Sequence, residues 1–408
     1  MGSEIYFDNN ATTRVLPEVF DAMAPFFTEL YGNPSSIHGF GSQVGGRISQ
    51  AREQVAALIG AADPVEIIFT SCGTEGDNAA IRGLLEAHPE KRHIVTTQVE
   101  HPAVLGLCRH LEKKGYRVTW LGVDQDGTLD LDELRDSVTS DTALVSVMYA
   151  NNETGVIFPI ERIGEIVRAK GIPFHVDAVQ AAGKLPIIVN NSPIDLLTIS
   201  AHKFHGPKGV GALYVRRGIT FSPFVIGGHQ ERNRRAGTEN VAGVVGMGTA
   251  ARAALEHLDD DVARVSTLRD QLQDSLLGSC PSARVNGDKA KRLPNTLNIS
   301  FRYLEGESIL VLLDQHGICA STGSACTSGS SEPSHVLRAM RIPPDWVQGA
   351  VRFSLSRLNT EDEVRCVNEK VPAIVKRLEG LSALGKLGVE QRNQPPAQAI
   401  SNSIGARG

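Results

Sequence analysis

The sequence predicts an α/β fold with a large domain on a mostly parallel sheet and a small α+β domain. Three observations predict it. Short, apolar, β-rich runs alternate with helix-period segments through the first half of the chain, the pattern of a parallel sheet covered on both faces. After about residue 246 this alternation gives way to a helical stretch rich in Ala, Leu and charge, then to mixed strands and helices. The 408 residues suffice for two domains and a large core.

In chain order, strands are expected over 66–70, 94–97, 117–121, 143–149, 173–176, 196–200 and 211–215. Helix-period segments separate most of them, for example over 43–59 and 160–170. One long helix is expected from about 246 to about 277. A strand at 295–301 and helices at 309–315 and 361–377 follow. From about residue 385 the chain is rich in Gln, Asn, Pro, Ser and Gly with almost no apolar periodicity, which predicts a disordered tail over 385–408. There is no repeat at a fixed period.

Composition narrows the function. Lys and Arg total 41 against 46 Asp and Glu, a net charge of -5, which argues against general nucleic-acid binding. The basic run Arg232-Asn-Arg-Arg235 is small and Gly-flanked, and reads as an interface or phosphate-facing loop. No apolar stretch is long enough to span a membrane, and no secretory signal is present. Six cysteines without a CxxC do not suggest a disulfide scaffold, and a reducing cytoplasm fits best.

The chemistry concentrates at strand ends, where open α/β sheets bind ligands. Asp177 ends the run that starts at Phe174. Lys203 follows the run ending at Ser200, with His202 beside it. A lysine and an acid so placed suit pyridoxal 5'-phosphate (PLP). The lysine carries the cofactor as a Schiff base and the acid faces the ring nitrogen. A carboxylate roughly 3 Å from that nitrogen gains at most about 5 kcal/mol at an effective dielectric of about 20, enough to hold the ring protonated. Separately, Asp177 could be a helix cap and Lys203 a surface lysine; together with Ser200, His202 and a Gly-rich continuation they favour the cofactor. Ser71-Cys-Gly-Thr-Glu-Gly-Asp-Asn78 follows a strand and opens a helix, so Gly73, Thr74, Ser200 and His202 form a candidate phosphate cradle. Cys72 reads as a small buried residue. Glu100-His-Pro102 sets His101 before a Pro-started helix, and its imidazole suits proton transfer; Glu100 reads as a surface acid. Taken alone, Asn152 and Gln180 are polar loop residues.

Cys326 lies in a Ser-, Thr-, Gly- and Ala-rich run that suits a mobile, exposed loop carrying a nucleophilic thiol. Cys319, seven residues earlier, does not make a recognised zinc spacing with it and reads as a small buried residue. Arg352 is suited to clamp a carboxylate with two hydrogen bonds, and Arg357 reads as a structural salt bridge. The segment Asn33-Pro-Ser-Ser-Ile-His38 is a further candidate for the substrate pocket.

Several runs together resemble the cysteine desulfurases of the fold-type I PLP-dependent transferases, in the NifS/IscS branch. They are Tyr6-Phe-Asp-Asn-Asn-Ala-Thr-Thr13, Phe69-Thr-Ser-Cys-Gly-Thr-Glu75, Val99-Glu-His-Pro-Ala-Val104, Ala150-Asn-Asn-Glu-Thr-Gly155, Ser321-Thr-Gly-Ser-Ala-Cys-Thr-Ser-Gly-Ser330 and Val351-Arg-Phe-Ser-Leu-Ser-Arg357. The resemblance implies a large PLP-binding domain over 16–258 and a small domain from 1–15 and 259–384. It implies that His101 stacks on the cofactor ring and moves protons, and that Asn152 and Gln180 serve the phenolic oxygen and ring region. Arg352, with Asn152, would hold the α-carboxylate of L-cysteine, and Cys326 would take the sulfur as a persulfide. It further implies a homodimer in which Thr238, in the loop from Gly227 to Asn240, reaches the partner's phosphate. An iron–sulfur scaffold protein of the NifU/IscU type would accept the sulfur, with Cys326 as a transient metal ligand shared with it, and the NifS likeness points to nitrogenase maturation. A selenocysteine lyase and a PLP aminotransferase share much of this residue set. A non-catalytic assembly protein that docks a scaffold is the reading from another class, and the full set of cofactor residues argues against it.

Overall fold

A computed structural model describes residues 4–322 and 333–381. The chain opens with a short strand, β1 (Ile5–Tyr6). Seven strands then form the main sheet: β2 (Ile67–Thr70), β3 (His93–Thr97), β4 (Arg117–Leu121), β5 (Thr142–Met148), β6 (Phe174–Asp177), β7 (Leu196–Ser200) and β8 (Gly211–Val215). Their order is β2-β8-β7-β6-β5-β3-β4. Only β8 runs against its two neighbours, β2 and β7; every other pairing in the sheet is parallel. The carboxyl ends of the six co-directional strands therefore share one edge.

Alternation of side chains across the sheet divides its core into two layers. Phe69, Val95, Val145, Val147, Leu197 and Ile199 face one layer, packed by helices 39–58, 160–169 and 241–256. Ile68, Ile94, Leu144, Leu196 and Leu213 face the other, covered by helices 73–87 and 102–113. Burial on both faces explains why these strands read as continuous apolar runs.

A second sheet has the order β12-β10-β9, all antiparallel, from β9 (Ala283–Val285), β10 (Thr296–Phe301) and β12 (Ala350–Ser354). β11 (Ile318–Cys319) pairs in parallel with β1. This second core gathers Leu272, Leu276, Ile299, Phe301, Phe353 and Val371, and Phe7 from the start of the chain joins it. Helix 335–339 turns back instead, setting Val336 and Leu337 in the core of the main sheet.

The single helix expected over 246–277 is two helices, Val241–Glu256 and Leu258–Ser279, broken at His257. No Gly or Pro marks the break. Asp259, Asp260 and Asp261 mark the new start, where acidic side chains meet the positive end of the helix dipole. Strands β1, β9, β11 and β12 were not expected; β1, β9 and β11 have two or three residues and carry too little alternation to read, and in the five-residue β12 the buried Arg352 and Ser354 break the apolar run. No helix among the described residues is long and apolar enough to cross a membrane.

Candidate active site

Where the main sheet's carboxyl edge meets the second sheet, a cavity of about 260 Å³ opens. Gly73, Thr74, Ser200, His202 and Lys203 line it, as do His101, Asn152, Gln180 and Arg352. Asp177 ends β6 beneath them, buried. Thr238 lies on an exposed loop outside this lining. Cys326 lies outside the described residues, as does the tail over 385–408.

The cradle forms where β2 turns through Ser71 and Cys72 into helix Gly73–Ala87. The Cys72 side chain makes no capping bond, so the helix start keeps open donors for an anion. Cys72 is half-buried and lines the cavity, correcting the expectation of a buried residue: as the helix N-cap it stands at the mouth of the site. Close approach explains the glycine that follows, since a Cβ on Gly73 would sit 2.8 Å from Val179 Cγ2. Glu75 ties the turn down. Its carboxylate accepts the Ser71 N–H at 2.8 Å and the Arg235 guanidinium at 2.8 and 3.0 Å. These partners outweigh burial and pull the Glu75 pKa below its usual value. The Arg loop, read from the sequence as an interface or phosphate-facing loop, here makes a contact inside the chain.

Lys203 ends a 3-10 turn after β7, and its Nζ donates to the carbonyls of Asn10 and Ala11, each at 2.7 Å. Burial pushes the Asp177 carboxyl up to about 6, against the opposing pull of the Val179 N–H and Lys203. Asp77 itself lines the cavity, and burial and the charge of Asp177 hold its carboxyl well above the usual range. Asp77 lies 3.6 Å from His175 Nε2. The His175 ring sits between the hydroxyls of Ser146 (2.9 Å) and Thr198 (3.0 Å), and burial pushes its pKa down to about 3.

His101 caps helix Pro102–Lys113, with Nδ1 accepting the Ala103 N–H at 3.2 Å. Burial, then the charges of Lys203 and His335, push its pKa down to about 4. The ring is therefore neutral at pH 7, with its proton on Nε2. Glu100 corrects another expectation. It is fully buried, because the sharp turn from β3 into the helix folds it under the sheet. Its Oε1 accepts from the Thr97 hydroxyl (2.8 Å) and the Met148 N–H (3.0 Å), and burial raises its pKa to about 8. Glu100 is thus protonated at neutral pH. Glu100→Gln, which mimics the neutral acid, is expected to cost less than about 1 kcal/mol in thermal or denaturant unfolding. Glu100→Ala strands the Met148 N–H and opens a hole, and is expected to cost about 3 kcal/mol.

Arg352 projects from the middle of β12. Its Nη2 pairs with Asp8 at 2.7 Å and its Nη1 donates to the Asn152 carbonyl at 2.9 Å. Its Nε is buried without a hydrogen-bond partner, a donor open toward a carboxylate. Asn10 knits the site. Its carbonyl accepts from both Lys203 Nζ and Gln180 Nε2 (2.9 Å), while its side chain meets Thr296 and Asn295. Asp8 and Asn10 lay within the Tyr6–Thr13 motif, yet no role could be read for them, since their partners lie up to 344 residues away. Arg357 pairs with Asp261 at 3.3 Å, as expected. The 33–38 segment, by contrast, is largely exposed and lies outside the cavity lining, because His38 is spent on capping helix 39–58. Cys319 is half-buried on β11, not fully enclosed; its strand has a partner on one side. Among the described residues, no group of three or more His, Cys, Asp or Glu is placed to hold a metal ion.

Unpartnered buried atoms mark where a ligand belongs. Among the described residues, Ser200 Oγ, Asn152 Oδ1 and Asp77 Oδ1 have no hydrogen-bond partner. Open helix-start donors and a spare hydroxyl at one end, a buried carboxyl below and a lysine between them fit a phosphorylated pyridine aldehyde.

The chain belongs to the aminotransferase class-V family, which it matches over residues 5–367. Within that family its relatives carry a narrower name. It is 61% identical over 380 residues to "Cysteine desulfurase" of Trichormus azollae, covering 93% of this chain and 95% of that one. To "Cysteine desulfurase NifS" of Azotobacter vinelandii it is 55% identical over 380 residues, covering 93% and 94%. A solved "NifS-like protein" superposes with a TM-score of 0.87 at 42% identity, covering 92% of this chain and all of that one. A structure titled "SspA in complex with cysteine" gives 0.77 at 33% identity, covering 87% and 100%.

Proposed function

We propose that this chain is a PLP-dependent cysteine desulfurase that converts L-cysteine to L-alanine and leaves the sulfur as a persulfide on Cys326. The single observation that carries the reading is that Lys203 and Arg352 line one cavity, with Asp177 buried at the end of β6, in a chain 55–61% identical to proteins named cysteine desulfurase. PLP bound there supplies a sink for the electrons released when the substrate's α-proton leaves.

The residues divide the work. Lys203 would hold the cofactor through its Nζ, and the same amine is the base that would move the α-proton. The N–H donors at Gly73 and Thr74, with Ser200 and His202, hold the phosphate. Asp177 keeps the ring nitrogen protonated, and Gln180 and Asn152 hydrogen-bond around the ring. His101, neutral with Nε2 protonated, would pack against the ring and pass a proton at the substrate. Arg352 receives the α-carboxylate through its free Nε side. The Cys326 thiolate attacks the substrate sulfur. A sulfur–sulfur bond forms as the carbon–sulfur bond breaks, and the carbon takes up a proton. L-cysteine and a thiol thereby become L-alanine and a persulfide with no outside oxidant or reductant.

The enzyme works as a homodimer in the cytoplasm, with Thr238 serving the partner's phosphate. The large exposed apolar side chains Phe20 and Phe27, on the first two helices, and Tyr31 and Ile37, on the loop that follows, support a covered face there. The domains divide as 16–258 against 1–15 with 259–384. An iron–sulfur scaffold protein of the NifU/IscU type accepts the sulfur, with Cys326 briefly ligating its metal. The likeness to NifS supports a role in nitrogenase maturation. The test is L-cysteine turnover by the PLP-loaded protein with a thiol reductant, following alanine and sulfide. Equal amounts of both are expected; transamination products without sulfide would replace this reading with the aminotransferase one.

A further inference from the structure

Lys184 is one lysine that the reaction does not use, yet its amine bonds to Gln180, a side chain that lines the site. It follows Gln180 by one helical-type turn, and its Nζ donates to the Gln180 side-chain Oε1 at 2.9 Å and to the Gln180 carbonyl at 3.2 Å. On its other side the Gln180 carboxamide donates from Nε2 to the Asn10 carbonyl at 2.9 Å. These partners leave no choice of orientation. A lysine amine must find the amide oxygen, and a backbone carbonyl must find the amide nitrogen. The remaining Gln180 N–H is a donor for whatever occupies the cavity it lines.

We infer that Lys184 is a positioning residue that fixes the Gln180 amide as a hydrogen-bond donor toward the bound cofactor. The inference rests on the PLP reading of the cavity. Rotating the amide by half a turn would set its oxygen against the Asn10 carbonyl and its NH₂ against the lysine, two repulsive contacts in place of two bonds. Without Lys184 one of those penalties disappears, and only the Asn10 carbonyl still opposes the turned amide. Lys184 also lines a second cavity of about 50 Å³ behind Lys203, with His205, Asp261 and Arg357, room for a few waters. Burial first, then the charges of Lys203 and Arg352, lower its pKa to about 7. An amine donates a hydrogen bond in either protonation state, so the orientation survives across neutral pH.

The test uses the PLP-loaded protein and reads the pH midpoint of the cofactor's visible absorption change. A donor at the ring oxygen favours its anion, so losing the donor raises the midpoint. Lys184→Met and Gln180→Ala are each expected to raise it by about one pH unit, a tenfold change in the proton equilibrium. In the double variant the shift should match that of Gln180→Ala alone, because Lys184 acts through the amide. Lys184→Arg, which keeps a donor, should restore most of the wild-type midpoint. A merely structural role would lower the melting temperature and leave the midpoint in place, overturning the inference. Fully additive shifts would mean that Lys184 acts through its charge and would also overturn it. A wild-type protein that binds no PLP and shows no visible band would overturn the cofactor reading and this inference with it. An unmoved midpoint in a yellow variant would overturn the inference alone.

Discussion

Cys326→Ala is expected to lower sulfide release from L-cysteine at least about a thousandfold, the scale of losing a nucleophile that acts as one unit with its site. The yellow cofactor and the melting temperature should stay unchanged, since Lys203, Asp177 and the cradle are built from other segments. The two ends of the segment that carries Cys326 join the site directly. Before it, Ser321 exchanges backbone hydrogen bonds with Arg352 at 2.6 and 3.1 Å. After it, the Ser334 hydroxyl donates to the buried Glu153, and His335 Nε2 lies 3.0 Å from the Glu100 carbonyl. Trapping with a thiol-reactive reagent after one turnover, followed by mass spectrometry, should find an added sulfur on Cys326 in the wild type and none in the variant. Unchanged sulfide release by the variant would remove Cys326 from the reaction.

Arg352→Lys is expected to lower kcat/KM for L-cysteine about a hundredfold, close to 3 kcal/mol, with most of the loss in KM. The guanidinium serves Asp8 and the Asn152 carbonyl and still has Nε to offer a carboxylate. A lysine ammonium is a point donor without that fork, so it pairs with Asp8 and leaves the substrate's carboxylate unmet. Arg352→Leu is expected to be worse, and to cost stability as well, because it leaves the Asp8 carboxylate without its cation. Steady-state kinetics with L-cysteine, and competition by L-alanine, check both. Equal KM in wild type and Arg352→Lys would place the carboxylate elsewhere.

The parts that were legible in the sequence share a cause. Strands buried on both faces read as continuous apolar runs, so the ends of β6 and β7 were visible, and with them Asp177 and Lys203. A helix start after a strand exposed the cradle at Gly73 and Thr74 in the same way. What could not be read depends on partners far along the chain. Glu100 looks like a solvated acid until the turn after β3 is seen to bury it. Lys184 carries no signal in the sequence, and its place shows only once Gln180 is set beside it. The break at His257 has no breaker residue, because two differently packed helices abut there and tertiary packing, not local propensity, decides it. The supports of Arg352, Asp8 and the Asn152 carbonyl, come from the loops after β1 and β5, which carry no periodic pattern.

The long span between Phe7 and Ser354 has a consequence for biosynthesis. Phe7, Asn9 and Asn10 bond to Ser354, and Asn10 and Ala11 hold Lys203. At roughly 5–20 residues per second, the ribosome needs roughly 20–70 s to make the intervening chain. Throughout that time Asp8 lacks Arg352 and the Asn10 backbone lacks its Ser354 partner. A nascent chain interrupted before β12 can build most of the main sheet, but it has no guanidinium for the substrate. Sulfur mobilisation, whose product is reactive, is thus withheld from unfinished chains until translation is nearly complete.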